Sequence, residues 1–197
     1  MTKKIAPPKI TGGGGDVFED KVVAYFMACL LTDMPPLDPN LGVLVALDFQ
    51  TKASGWLFDD LLMTLSSSAG ESHASFSIKS YPQFTRKSAP TDFVASTWEQ
   101  YLHVGTSKFE KDRDILGLIA PPHGTAVKRE IDGLLNKARS ERPVDFVERI
   151  GQAGFLAKPG MELFQSFGCP PRLVNQGSST AAETASLLAT SRSGIRL

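Results

Sequence analysis

The sequence predicts an α/β (α+β) domain built on a mixed central β-sheet flanked by helices. Two observations carry that expectation. The apolar period changes along the chain from helical to strand-like and back, giving the order helix, three strands, helix, strand, helices. A serine- and glycine-rich stretch, Ser66-Ser67-Ser68-Ala69-Gly70, falls between two strand-like runs, where a hairpin needs a turn.

Residues 1–15 end in four glycines, Gly12 to Gly15, and read as a flexible leader. From Asp16 the pattern is helical, with Val17, Val22, Phe26 and Leu30 beside Phe18, Val23 and Met27 on a broad apolar face. Asp16 followed three residues later by Glu19 fits a capping box at that helix start. Three prolines between Thr32 and Asn40 end the helix. Residues 43–49 then read as a strand, and residues 56–65 as a second strand-like run entered through Asp59-Asp60. Residues 74–80 alternate, Phe76 and Ile78 on one face and Ser75, Ser77 and Lys79 on the other. Residues 91–104 form a predicted helix with Thr91 as N-cap and Phe93, Val94, Trp98, Tyr101 and Leu102 inward. Residues 115–120 are a short buried strand closed by Pro121-Pro122, and helices are expected at 126–139 and 143–155. Beyond Pro170 small and polar residues dominate. Residues 16–170 are therefore the expected domain, and 171–197 a tail or a linker to a missing downstream domain.

Composition excludes several classes. Of 197 residues, 42% are hydrophobic and 21% charged, which is enough apolar material for a core. Lys plus Arg equals Asp plus Glu at 21 each, so the chain lacks the positive excess of a free-standing DNA-binding module. Any nucleic-acid contact must rest on a local patch. Cys29 and Cys169 stand far apart and three histidines are scattered, so neither a disulfide framework nor a zinc set is present. No apolar run follows the basic start as a signal peptide would require, and none is long enough to span a bilayer. A cytoplasmic setting, without membrane, is expected.

The informative pattern is a carboxylate pair entering one strand and a lysine leaving the next. If the second and third strands pair as a hairpin, Asp60 or Asp59 lies near Lys79 at one end of the sheet. Ser77 shares the face of Lys79 because the two are two residues apart. Glu19, on the first helix, can be brought over the same end. Carboxylates that hold Mg²⁺ and one lysine suit phosphodiester hydrolysis. Plainer roles compete for each residue: Glu19 as a helix cap, Asp59-Asp60 as a solvated turn, Lys79 as an edge-strand charge. Arg86 and Lys87 follow closely with no acid between, a patch able to touch a DNA backbone. His73, His103 and His123 stand apart, and Trp98 and Tyr101 suit a core better than base stacking. The four glycines lack the Gly-Lys-Ser/Thr of a phosphate loop.

Helix Glu19, then Asp60, then a strand ending in Ser77-Ile78-Lys79 resembles the P-D…(D/E)-x-K, or restriction-endonuclease-like, superfamily. More narrowly, "GGDVFEDKVVAYF", "DDLLMTL", "SIKSY", "W-E-Q-Y", "DRDILGLI" and "LFQSFGCP" are similar to double-stranded-DNA endonuclease domains of bacterial antiviral effectors. Those domains occur with CD-NTase-associated effectors and with NACHT or related STAND ATPases, and the likeness covers about residues 12–171. It implies a Mg²⁺- (or Mn²⁺-) dependent DNA endonuclease acting in antiviral defence on double-stranded DNA. Asp60 is then the principal metal ligand with Asp59 as fallback, Glu19 a water-mediated ligand, the Ile78 carbonyl a further ligand, and Lys79 the activator of water. It also implies a fused or separately encoded sensor or ATPase, and control by oligomerisation. Ser77 departs from the pattern, which has Glu or Gln at that position. A short neutral hydroxyl is a poor metal ligand, so the alternative is a catalytically impaired relative serving as a DNA-binding or oligomerisation module. A third reading, an unrelated α/β interaction domain, follows if Asp60 and Lys79 lie more than about 10 Å apart, too far for one metal-bound phosphate to bridge.

Overall fold

The computed structural model describes residues 14–102, 108–122, 124–176 and 180–193. Helix α1 (Gly14–Thr32) leads into a meander of β1 (Val43–Asp48), β2 (Leu61–Ser67) and β3 (Gly70–Ile78), each antiparallel to the last. Helix α2 (Thr91–Tyr101) lies in the crossover to β4 (Ile115–Ile119), which pairs parallel with β3. Helices α3 (Thr125–Ser140), α4 (Pro143–Arg149), α5 (Lys158–Ser166) and α6 (Ala181–Thr190) follow, and a three-residue β5 (Ser191–Ser193) runs parallel to β4. The sheet order is β1-β2-β3-β4-β5, mixed as expected for an α/β fold.

Strand alternation divides the core in two. Leu61, Met63 and Leu65 of β2 and Ala74, Phe76 and Ile78 of β3 point to the face covered by Val22, Phe26 and Cys29 of α1. Leu62 and Leu116 point the other way, into a larger core built by α2 to α6 around Trp98, Leu134, Phe146, Leu163 and Leu187. The hairpin register is Leu61↔Phe76 through Ser67↔Gly70. Gly70 takes the positive φ of the turn, +111°, so Ser68 and Ala69 need not.

Several expectations are corrected. Residues 171–197 are not a tail throughout. Helix α6 buries Thr184, Ala185, Leu187 and Leu188, and the last two complete the larger core. Alanine and leucine at helical spacing drive that burial, although small polar neighbours hide it in the composition. The second strand begins at Leu61, not near Trp56, because the backbone from Gly55 to Phe58 bonds to the Gln100 and Ser75 side chains and to loop backbone at Thr51 and Lys108 instead of a strand. Helix α1 already includes Gly14 and Gly15, which puts Asp16 inside the helix and not at its cap. Pro90, not Thr91, stands at the N-cap of α2. Trp98 and Tyr101 are core residues, and Cys29 and Cys169 are free. Most of the glycine leader, residues 1–13, lies outside the described residues, as do His103 and His123.

Candidate active site

The chain between β1 and β2 delivers Asp59 and Asp60, and other elements hold it in place. Gln50 N–H donates to the Asp59 carbonyl at 2.7 Å, and the buried Ser75 hydroxyl of β3 donates to the Phe58 carbonyl at 2.8 Å. Gln100, wholly buried on α2, accepts from Leu57 N–H and donates to the Gly55 carbonyl at 3.0 Å. One amide side chain thus satisfies two loop groups that have no strand partner. We expect Gln100→Ala to orphan Leu57 N–H, at a cost of about 1–3 kcal/mol, while the Gly55 carbonyl keeps the Lys108 N–H at 3.3 Å. Its denaturant midpoint should fall, and an unchanged midpoint would refute this bracing role.

The Asp60 carboxylate meets the end of β3. Its Oδ2 accepts from Ile78 N–H at 2.7 Å, from the Ser77 hydroxyl at 3.1 Å and from Lys79 Nζ at 3.1 Å. Alternation explains the set: Ile78 turns its side chain into the α1-side core, while Ser77 and Lys79 face Asp60. The Lys79 side chain is 53% exposed, so its ion pair contributes at most about 1 kcal/mol to stability. Two groups that gain so little from pairing are available for other work.

These residues form one wall of a cavity of about 570 Å³. Glu19 reaches it from α1, Asp92 and Ser96 from α2, and Tyr81, Pro82 and Gln83 from the loop after β3. Phe58 and Phe93, stacked at 5.4 Å between centroids, supply an apolar side together with Leu57 and Leu118. Among the described residues, Glu19, Asp59, Asp60 and Asp92 place four carboxylates around this space and Lys79 is the one cation lining it. That balance attracts a cation and repels a bare phosphate.

The structure therefore brings Glu19, Asp59, Asp60, Ser77, Ile78 and Lys79 to one cavity, with Asp60 and Lys79 in contact and far inside the 10 Å limit. Arg86 and Lys87 are placed differently. Arg86 pairs with Glu130 of α3 at 3.1 Å and Lys87 with Glu162 of α5 at 3.1 Å, so both fasten the loop to the helices. Gln100, Asp92 and Tyr81 escape sequence reading. Only their place in the fold gives them a part, and none carries a spacing signal.

Among the described residues no three His, Cys, Asp or Glu side chains converge as a ready-made metal cage. The oxygen donors present still suit Mg²⁺ or Mn²⁺, because Mg²⁺ retains waters and takes one or two carboxylates besides substrate phosphate. No helix among the described residues is long and apolar enough to cross a membrane. The chain matches no family model, no curated protein and no solved structure.

Proposed function

We propose that the protein is a metal-dependent DNA endonuclease of the restriction-endonuclease-like kind. The observation that carries this reading is the meeting of Asp60 and Lys79, 3.1 Å apart, at the mouth of an acidic cavity. Asp60, the Ile78 carbonyl and Glu19 would hold Mg²⁺ or Mn²⁺, which supplies charge neutralisation at the phosphate and a more acidic water. Asp59 and Asp92 add to the negative field that favours the cation. Lys79 places a positive charge where the phosphorane charge develops and a donor where a water is to be oriented. The Ser77 hydroxyl and Ile78 N–H hold the Asp60 carboxylate in one rotamer, leaving the Lys79 contact as the one that substrate would displace. Duplex DNA as substrate, antiviral defence as setting, and a sensor or ATPase as partner rest on the sequence likeness alone.

One observation favours a second reading. Ser77 stands where the pattern has Glu or Gln, and Asp60 Oδ2 already accepts three hydrogen bonds. A site closed in this way suits a DNA-binding or oligomerisation module that has lost turnover. Supercoiled plasmid incubated with purified protein and Mg²⁺ or Mn²⁺ separates the two. Nicked or linear product supports the enzyme. Retarded but intact plasmid across both metals supports the binding module.

A further inference from the structure

The cavity is larger and more apolar than a phosphate and a metal require. About 570 Å³, half open to solvent, is room enough to receive a small organic group. Beyond the Asp60–Lys79 wall it is bounded by the stacked Phe58–Phe93 pair, Leu57 and Leu118, with Tyr81 at its rim. Tyr81 is 77% exposed, two residues beyond Lys79, which is a poor placement for an aromatic ring that serves only packing.

The rim is not a loose loop. The Gln83 amide donates to the Tyr81 carbonyl at 3.3 Å, and Ala89 N–H donates to the Ser166 hydroxyl at 2.9 Å. The Arg86–Glu130 and Lys87–Glu162 ion pairs fasten its far half. An exposed ring on a tethered segment is pre-organised for contact, which lowers the entropy lost on binding. Gln83, Asp92 and Ser96 add donors and acceptors to the same space, enough to meet the polar edge of a nucleobase.

Continuous duplex DNA offers only backbone to such a recess, since its bases are stacked inside the helix. An unpaired nucleotide offers phosphate, sugar and a free aromatic face together. We propose that the substrate presents an unpaired, unstacked nucleotide beside the scissile phosphate, its base against Tyr81 and the Phe58–Phe93 side of the cavity. The inference rests on the nuclease reading and narrows it to DNA that is single-stranded, bulged or locally melted at the cut.

The test compares a fluorescent duplex with the same duplex carrying one bulged 2-aminopurine, with Ca²⁺ as the oxygen-binding divalent cation. Wild type should bind the bulged DNA at least about tenfold more tightly and change the 2-aminopurine emission. One lost base-stacking contact corresponds to about 5- to 150-fold in affinity, so Tyr81→Ala should remove most of the preference and Tyr81→Phe should keep it. Equal binding of the two DNAs, or an undiminished preference in Tyr81→Ala, overturns the proposal. The plasmid assay separates the two levels. Cleavage without a bulge preference leaves the nuclease standing and this inference refuted, whereas absence of both binding and cleavage refutes both.

Discussion

Lys79→Ala is expected to lower Mg²⁺-dependent DNA cleavage by about 10²- to 10³-fold, the cost of removing one donor aimed at developing transition-state charge. Stability should hardly move. The Lys79 ammonium is half exposed and its pair with Asp60 contributes at most about 1 kcal/mol. Asp60 keeps two donors without it, Ile78 N–H and the Ser77 hydroxyl, so no buried acceptor is stranded. The pairing of a large rate effect with a melting temperature within a few degrees of wild type separates catalysis from folding. Equal cleavage rates for wild type and Lys79→Ala would remove the catalytic reading of this site.

Leu187→Ala should show the opposite pattern, a large loss of stability. Leu187 is fully buried in the larger core, and truncating such a residue costs about 2–5 kcal/mol. In a domain of this size that corresponds to roughly 4–20 °C in melting temperature. Helix α6 is tied in further through Tyr101 of α2. Burial pushes the Tyr101 phenol above its ordinary pKa, and a hydrogen bond with Ser186 pulls it partly back. A differential scanning experiment decides the matter, since a melting temperature unchanged by Leu187→Ala would return residues 181–190 to the status of a linker.

The parts of the fold and site that were legible in the sequence are those governed by short-range rules. The hairpin announced itself through alternation on β3 and the turn residues Ser68 to Gly70, and alternation alone placed Ser77 and Lys79 on one face. From there Asp60 needed only a hairpin register to reach Lys79. The rest depended on contacts distant in sequence. Gln100 braces a loop more than forty residues away, and nothing in "W-E-Q-Y" distinguishes it from a solvated glutamine. Arg86 and Lys87 looked like an uncompensated basic patch because Glu130 and Glu162 are remote along the chain. Trp56, Leu57 and Phe58 are as apolar as a strand, yet the backbone of residues 56–59 bonds to Thr51, Gln100, Ser75 and Gln50 and not to a ladder. Helix α6 was hidden by Ser and Thr on its flanks, which mask four inward residues in any measure of average composition.

The Arg86–Glu130 and Lys87–Glu162 pairs beside the cavity rim have half-exposed basic side chains, so each adds at most about 1 kcal/mol, a contribution that salt weakens. Near 1 M salt the screening length falls to about 3 Å, comparable with the pairs themselves, while the hydrophobic core is indifferent to screening. The segment around Arg86 and Lys87 should therefore open locally more often in salt while the domain stays folded. Trypsin offers a direct readout, because the two tethered side chains are themselves its cleavage points. Nicking after Arg86 or Lys87 should accelerate with salt relative to a free peptide of the same sequence, leaving the remaining domain folded. A nicking rate that follows the free peptide at every salt concentration would mean that the rim is held by Ala89 and its neighbours alone.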